Sequence, residues 1–363
     1  MQITKEAIYI AGPECFYING NAQLLAMRRD VEAHGMSVTL PNDSKLNLEH
    51  EDLRLNADEI FRNCAESMNR STGIICDLEF YRGPEPDGGS VFEIGMAYAR
   101  GIRCYGYTRD KREIKWKYQG FKLENGIPYD KKGRRLPNYD LPFSPNVIGS
   151  TKIIAGDFHD CLKAYLTDLE EERKYGCRPF QSRKFEKKAI SEKPVIYLSS
   201  PDRYSANAET IFKPICDYCI KKGLYPTIPY IPESGFEKKW EDPYERAYQV
   251  FLKNLENVYN ADIVLGNLND FHGWEPESDT SFECGMAFQL GKHLYGYMDD
   301  IRIMRERVPN LGPDYDWRDI CGCNTENFNY PLNLMFSSSM RSVTDSVYEV
   351  IDKIADDFYN ISK

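Results

Sequence analysis

Phe92-Glu-Ile-Gly-Met-Ala-Tyr-Ala-Arg-Gly101 returns as Phe282-Glu-Cys-Gly-Met-Ala-Phe-Gln-Leu-Gly291. Each run leads into a second shared signature, Tyr105-Gly-Tyr107 and Tyr295-Gly-Tyr297. Each half also opens on a similar apolar strand, Ile8-Tyr-Ile-Ala-Gly-Pro13 and Ile196-Tyr-Leu-Ser-Ser-Pro201. Similarity over whole-domain spans means a tandem duplication. It also supplies an internal comparison, because chemically able residues that differ between the copies show which copy is equipped to react.

Working outward from Phe92, strands and helices alternate. A strand from Ala7 to Ala11 precedes a helical stretch from Ala22 to His34 that Gly35 stops. Ser37 to Leu40 forms a second strand, closed by Pro41-Asn42-Asp43. A helix over Ala57–Asn69 leads into the buried strand Gly73–Leu78. After the turn-rich loop Tyr81–Gly89, a helix starts near Ser90, carries Glu93 and ends at Gly101, followed by the strand Cys104–Tyr107. This order predicts a parallel, doubly wound α/β sheet in each copy. The expected domains are 1–167 and 194–363, joined by a charged linker at 168–193. Arg109 to Pro137 interrupts the pattern with ten Lys/Arg against four Asp/Glu. It reads as a solvated hairpin or as a basic lid over an anionic substrate.

The 363 residues have room for two cores, and 42% hydrophobic and 28% charged residues are ordinary for a soluble protein. A formal net charge of −10 argues against general affinity for nucleic acid polymers. No apolar run reaches membrane-spanning length, and the start has no signal-peptide pattern, so a cytoplasmic protein with no membrane association is expected. The eleven cysteines then read as reduced thiols. Cys216-x-x-Cys219 and Cys321-x-Cys323 have permissive zinc spacing, but Cys216 and Cys219 share one face of a helical pattern, where packing explains them. No metal is expected.

In open parallel sheets, ligands bind beyond the carboxyl ends of the strands. Asp87-Gly-Gly-Ser-Val-Phe-Glu93 falls there. Gly88 and Gly89 permit close backbone approach, and Ser90 is a natural N-cap at a helix end that favours an anion. Ser90-x-x-Glu93 also fits a capping box, which would make Glu93 structural. That reading leaves Asp87 and Gly12-Pro13 unexplained. Two carboxylates beside a sugar-sized cleft suit glycosyl transfer, one attacking the anomeric carbon and one managing the leaving group. The phosphate-loop and dinucleotide fingerprints are both missing.

Tyr9-Ile-Ala-Gly-Pro13, Asp87-Gly-Gly-Ser-Val-Phe-Glu-Ile-Gly-Met-Ala97 and Asn333-Leu-Met335 together resemble the nucleoside 2-deoxyribosyltransferases. The resemblance implies a flavodoxin-like or Rossmann-like domain in each repeat. It also implies movement of 2-deoxyribose between nucleobases through a covalent deoxyribosyl-glutamate, without any cofactor. By position, Glu93 is the nucleophile and Asp87 assists the base, while Gly12, Pro13, Gly89 and Ser90 shape the sugar pocket. The family's further acid, three residues past an aromatic, falls on Cys64 here and on Asn254 in the second copy, leaving Asn63 or Asp77 as substitutes. In the second copy, Gly12-Pro13 becomes Ser200-Pro201 and Asp87-Gly-Gly-Ser90 becomes Glu277-Ser-Asp-Thr280. Asp279 would crowd Glu283 and raise its pKa by repulsion, so the first repeat is expected to work and the second to be impaired. The family's asparagine, which reaches a neighbouring subunit's sugar, corresponds to Asn333; Asn146 is its counterpart. An internal pseudo-dimer follows, with room for larger homo-oligomers.

The expected substrates are a deoxynucleoside or deoxynucleotide and a free nucleobase. Two other readings stand beside transfer. One is hydrolysis of deoxynucleoside 5′-monophosphates or of a modified nucleoside, with Gly88-Gly89-Ser90 as a phosphate nest beneath the basic insertion. The other is a non-catalytic nucleotide-binding module.

Overall fold

The structure is a computed structural model that describes residues 6–40, 46, 48–118, 120–136, 140–176, 182–231 and 239–359. The turn expected at Pro41-Asn42-Asp43 lies outside them. In the first repeat, β1 (Ala7–Ala11), β2 (Ser37–Thr39), β3 (Gly73–Asp77), β4 (Arg103–Thr108) and, after a small hairpin, β7 (Lys152–Ala155) form one parallel sheet. Its order is β2-β1-β3-β4-β7. The hairpin pairs β5 (Lys122–Glu124) with β6 (Ile127–Tyr129). In the second repeat, β8 (Val195–Ser199), β9 (Tyr225–Thr227), β10 (Ile263–Asn267), β11 (His293–Tyr297) and β12 (Val343–Thr344) repeat that order. Both are flavodoxin-like sheets whose strand order reverses between the first and third strands, the point where such sheets bind ligands.

The near-continuous apolar strands are explained by burial on both faces. Along β1, Ile8 and Ile10 point to an outer core, while Tyr9 and Ala11 point to a second core that both repeats share. β8 does the same, with Ile196 and Leu198 outward and Tyr197 inward. The shared core also joins Phe92, Phe282, Phe251 and Phe336. Phe92 meets Phe336 edge-on at 5.5 Å, and Tyr98 meets Phe251 at 5.3 Å.

The Phe-Glu-x-Gly signature forms the centre of that interface. The helices Gly88–Arg100 and Ser278–Gln289 cross there. A Cβ on Gly95 would overlap the carbonyl oxygen of Phe282, and one on Gly285 would overlap that of Phe92. Only glycine allows the two backbones to come this close, so the same glycine is required in both copies. The first helix ends at Gly101, whose φ of 79° suits a left-handed cap.

The helix closing the first repeat runs Phe158–Tyr175, so the start of the charged connector is helical. Asp168 is buried, accepting from Tyr105 and pairing with Lys152 Nζ at 2.6 Å, so its charge serves the core edge rather than a linker. The basic insertion forms a hairpin with Lys122–Glu124 exposed, and none of its described residues lines the Glu93 cavity. It crosses to the second repeat, where Arg135 N donates to Tyr204 O at 2.7 Å and Arg134 stacks on Phe271. The corresponding loop of the second repeat crosses the other way, Asn324 N donating to Phe16 O at 2.8 Å. Among the described residues, no helix is long and apolar enough to cross a membrane. Cys219 packs in the second repeat's outer core.

Candidate active site

Gly12 follows β1, the loop after β3 ends at Asp87, and between them lies a cavity of about 420 Å³. Gly12, Asp87, Gly89, Ser90, Glu93 and Asn333 all line it. The first five come from repeat 1 and Asn333 from repeat 2, so the cavity straddles the interface. Pro13 and Asp77 do not line it. Asp77 turns to a separate cleft with Glu14 and Tyr107, and accepts from Glu79 N at 2.8 Å. Burial pushes the Asp77 carboxyl up to about 6, and burial with the Asp77 charge pushes Glu14 to about 8. Asn63 is buried in its helix outside the cavity, whereas Cys64 is on the wall.

The helix bearing Glu93 starts at Gly88, not Ser90, and its N-cap is Asp87. One Asp87 oxygen accepts from Ser90 N at 2.8 Å and from Ser90 Oγ at 2.6 Å, while Oδ1 is buried without a partner. This excludes the Ser90-x-x-Glu93 capping box. It also leaves Gly88-Gly89-Ser90 a poor phosphate nest, because Asp87 already takes the Ser90 amide and brings a carboxyl of its own. Glu93 therefore sits further along the helix, where it accepts a hydrogen bond from the Tyr9 hydroxyl. Burial pushes the Glu93 carboxyl up to about 8, with the Tyr9 hydrogen bond opposing and the Asp87 charge adding to the rise. Once ionised, a carboxyl in this position can attack an electrophilic carbon bound in the same cavity.

Asn333 caps a short helical turn, Leu334–Ser337, by accepting from Met335 N at 2.9 Å. Its amide also lies against Gly89: a Cβ there would be 2.7 Å from both Asn333 Nδ2 and Oδ1. The turn cap and the contact with the first repeat's site thus coexist. Glycine at position 89 is what lets the other repeat's amide approach.

The second repeat has the same framework, closed from within. Arg203, the counterpart of Cys15 in the wall of the open cavity, forms a bidentate pair with Glu283 at 2.9 and 3.0 Å. Both side chains are 1% exposed. Ser199 also donates to Glu283. Asp279 accepts from Asn146 N at 2.8 Å and from Tyr204 at 2.8 Å, and Asn146 Nδ2 donates to Glu283 at 3.0 Å. Burial raises the Asp279 carboxyl, Arg203 opposes, and the expected repulsion from Glu283 adds to the rise. A guanidinium neutralises Glu283 and fills the space in front of it. Glu277 keeps the capping role of Asp87, accepting from Asp279 N and Thr280 N at 2.8 and 2.9 Å.

Sequence reasoning did not single out Tyr9, Arg203 or Glu326. Tyr9 was visible as one of the few polar-tipped residues kept in both opening strands, opposite Tyr197. Arg203 was visible as a charge replacing Cys15 just past a buried strand. Glu326, a buried wall residue of the cavity, sits in an irregular loop with no local pattern to announce it.

The family model described as nucleoside 2-deoxyribosyltransferase matches residues 8–135 and 196–335, one region in each repeat. No curated protein shows significant similarity to the chain. Among solved structures, a 2-desoxiribosyltransferase from Leishmania mexicana is 26% identical, with 45% of this chain and 97% of that one covered, at a TM-score of 0.37. The catalytic subunit of a cobaltochelatase from Mycobacterium tuberculosis is 11% identical over 84% of this chain and 22% of that one, at a TM-score of 0.21. Both scores are too low to carry an argument, and the assignment rests on the two family-model regions, which together span well over half the sequence. The chain belongs to the nucleoside 2-deoxyribosyltransferase family, as a tandem duplication of its domain.

Proposed function

We propose that the chain transfers 2-deoxyribose between nucleobases at one site, built by the first repeat and completed by the second. The observation that carries this is the contrast between the two family glutamates. Glu93 faces an open cavity with Tyr9 as its hydrogen-bond donor, whereas Glu283 is sealed by Arg203. Ionised Glu93 attacks C1′ of a 2′-deoxynucleoside, the base leaves through an oxocarbenium-like transition state, and a second base attacks the resulting glutamyl ester. Two inversions give net retention. The missing 2′-hydroxyl both lowers the barrier and makes room for Glu93 beside C2′. Asn333, held against Gly89, would bond a sugar hydroxyl, and the Asp87 carboxyl would accept from the base. The wall is mainly apolar, with Phe16, Ile60, Phe328 and Met335 available for a base to pack on.

The test is incubation with a panel of 2′-deoxynucleosides and a different free base, followed by chromatography. Transfer gives the exchanged nucleoside. Free base and deoxyribose in equal amounts, with no exchanged product at high acceptor concentration, would instead make the chain a hydrolase. Binding without turnover would make it a binding module.

A further inference from the structure

Among the described residues, three carboxyls line the cavity: Glu93, Asp87 and Glu326. Their hydrogen-bond partners differ. Asp87 caps a helix, so two donors and the helix N-terminus favour its charge. Glu93 faces the Tyr9 hydroxyl. Glu326 is 8% exposed and leaves Oε2 buried with no hydrogen-bond partner. A buried carboxyl oxygen without a donor is costly as an anion and cheap as a hydroxyl. Burial pushes the Glu326 carboxyl up to about 8; Arg82 opposes, while Asp87 and Glu275 add to the rise. Burial thus favours the protonated form of Glu326, on the cavity wall that Arg82 anchors by bonding Asp319 at 2.8 Å and Asn324 O at 3.0 Å.

Resting on the deoxyribosyl-transfer reading, we infer that Glu326, from the second repeat, is the general acid that protonates the departing base and the general base that accepts the proton of the incoming one. In the first half-reaction, a Glu93 oxygen bonds to C1′ and the C1′–N bond breaks with its electron pair on the base. The Glu326 proton passes to a base nitrogen, leaving a Glu326 carboxylate. In the second half-reaction, a nitrogen of the acceptor base bonds to C1′, the glutamyl ester bond breaks, and the acceptor's N–H proton returns to Glu326. The enzyme ends as it began.

A role in leaving-group protonation should depend on the leaving group. Glu326→Gln keeps the shape and the neutral charge of the resting side chain, so the fold should be kept. It should lower kcat on 2′-deoxyadenosine by about 100-fold or more, within the range for loss of a general acid. On 7-methyl-2′-deoxyguanosine, whose cationic base leaves neutral without a proton, the loss should be under about 3-fold, because no acid step remains to be lost. If that base is not accepted, 2′-deoxyuridine and 5-fluoro-2′-deoxyuridine give the same contrast, because the fluorinated base leaves more readily as an anion. Glu326→Asp should recover part of the 2′-deoxyadenosine rate. Equal losses on the poor and good leaving groups, or no loss on either, would overturn the acid assignment while transfer stands. A wild-type enzyme that releases base from none of these substrates would overturn the transfer reading and the assignment together.

Discussion

Replacing Arg203 by alanine should be among the most destabilising single changes in the chain while leaving the Glu93 cavity in place. Arg203 and Glu283 are each 1% exposed and joined by two bonds of 2.9 and 3.0 Å. Removing one partner of such a pair leaves an uncompensated buried charge and costs about 3–5 kcal/mol. With an unfolding entropy of ~2.1 cal/mol/K per residue, the 363-residue chain unfolding as one unit would lose about 4–7 °C in Tm. If the second repeat, about 170 residues, unfolds alone, the same energy shifts its transition by about 8–14 °C. The size of the shift therefore also reports whether the shared core couples the repeats into one transition. Arg203→Met with Glu283→Gln removes both charges at similar volume and should lie within about 1–2 kcal/mol of wild type, far from the sum of the single changes. Calorimetry of wild type, both single variants and the double variant measures this. An Arg203→Ala cost under about 1 kcal/mol, or a double variant as poor as the sum, would refute the view that charge pairing seals the second site.

Five further outcomes are expected. Glu93→Ala should abolish turnover with little change in fold, and mass spectrometry of trapped wild-type enzyme should find a deoxyribosyl adduct on the Glu93 peptide. Asn333→Ala should lower activity ~10-fold or more, the loss of a hydrogen bond that strengthens in the transition state. Asn146→Ala, which strips donors from Glu283 and Asp279, should show in the unfolding transition rather than in the rate. Only ionised Glu93 attacks and only protonated Glu326 donates, and both carboxyls are raised to about 8, so kcat/KM against pH should be a bell centred near 8 that falls about tenfold per unit well below it. Gly95→Ala should cost ~1–3 kcal/mol by overpacking the helix crossing, read by thermal unfolding, with a parallel fall in activity because the same helix carries Glu93.

Much of this architecture was legible because duplication printed the key elements twice. The parallel α/β architecture followed from alternating apolar strands and periodic helices, whereas the need for Gly95 and Gly285 shows only in how closely the two helices approach. Helix starts were less legible. Ser90 has cap chemistry, yet Asp87 takes that role because the chain enters the helix two glycines earlier, where no side chain competes. Asp168 looked like linker charge because a sequence does not reveal that Tyr105 and Lys152 wait for it. Asp77 sits at the right strand end but on the wrong side of Gly12, a distinction set by which way one side chain turns. The loop bearing Glu326 was least legible, since its position depends on crossing to the other repeat, which no local pattern encodes.

The crossing loops have a consequence for how such a protein can change over time. In a symmetric pair of identical chains, every substitution strikes twice, so an arginine that blocks one pocket blocks both. Here each half has two separable duties: to carry its own glutamate and to lend a wall to its neighbour. Joining the halves in one polypeptide lets the second abandon the first duty while keeping the second. Arg203 could take up residence before Glu283 without touching the Asn333 and Glu326 that repeat 2 extends across the boundary. On the proposed function, the molecule is thus free to specialise its halves, one as workshop and one as partner, a division of labour closed to its symmetric kind.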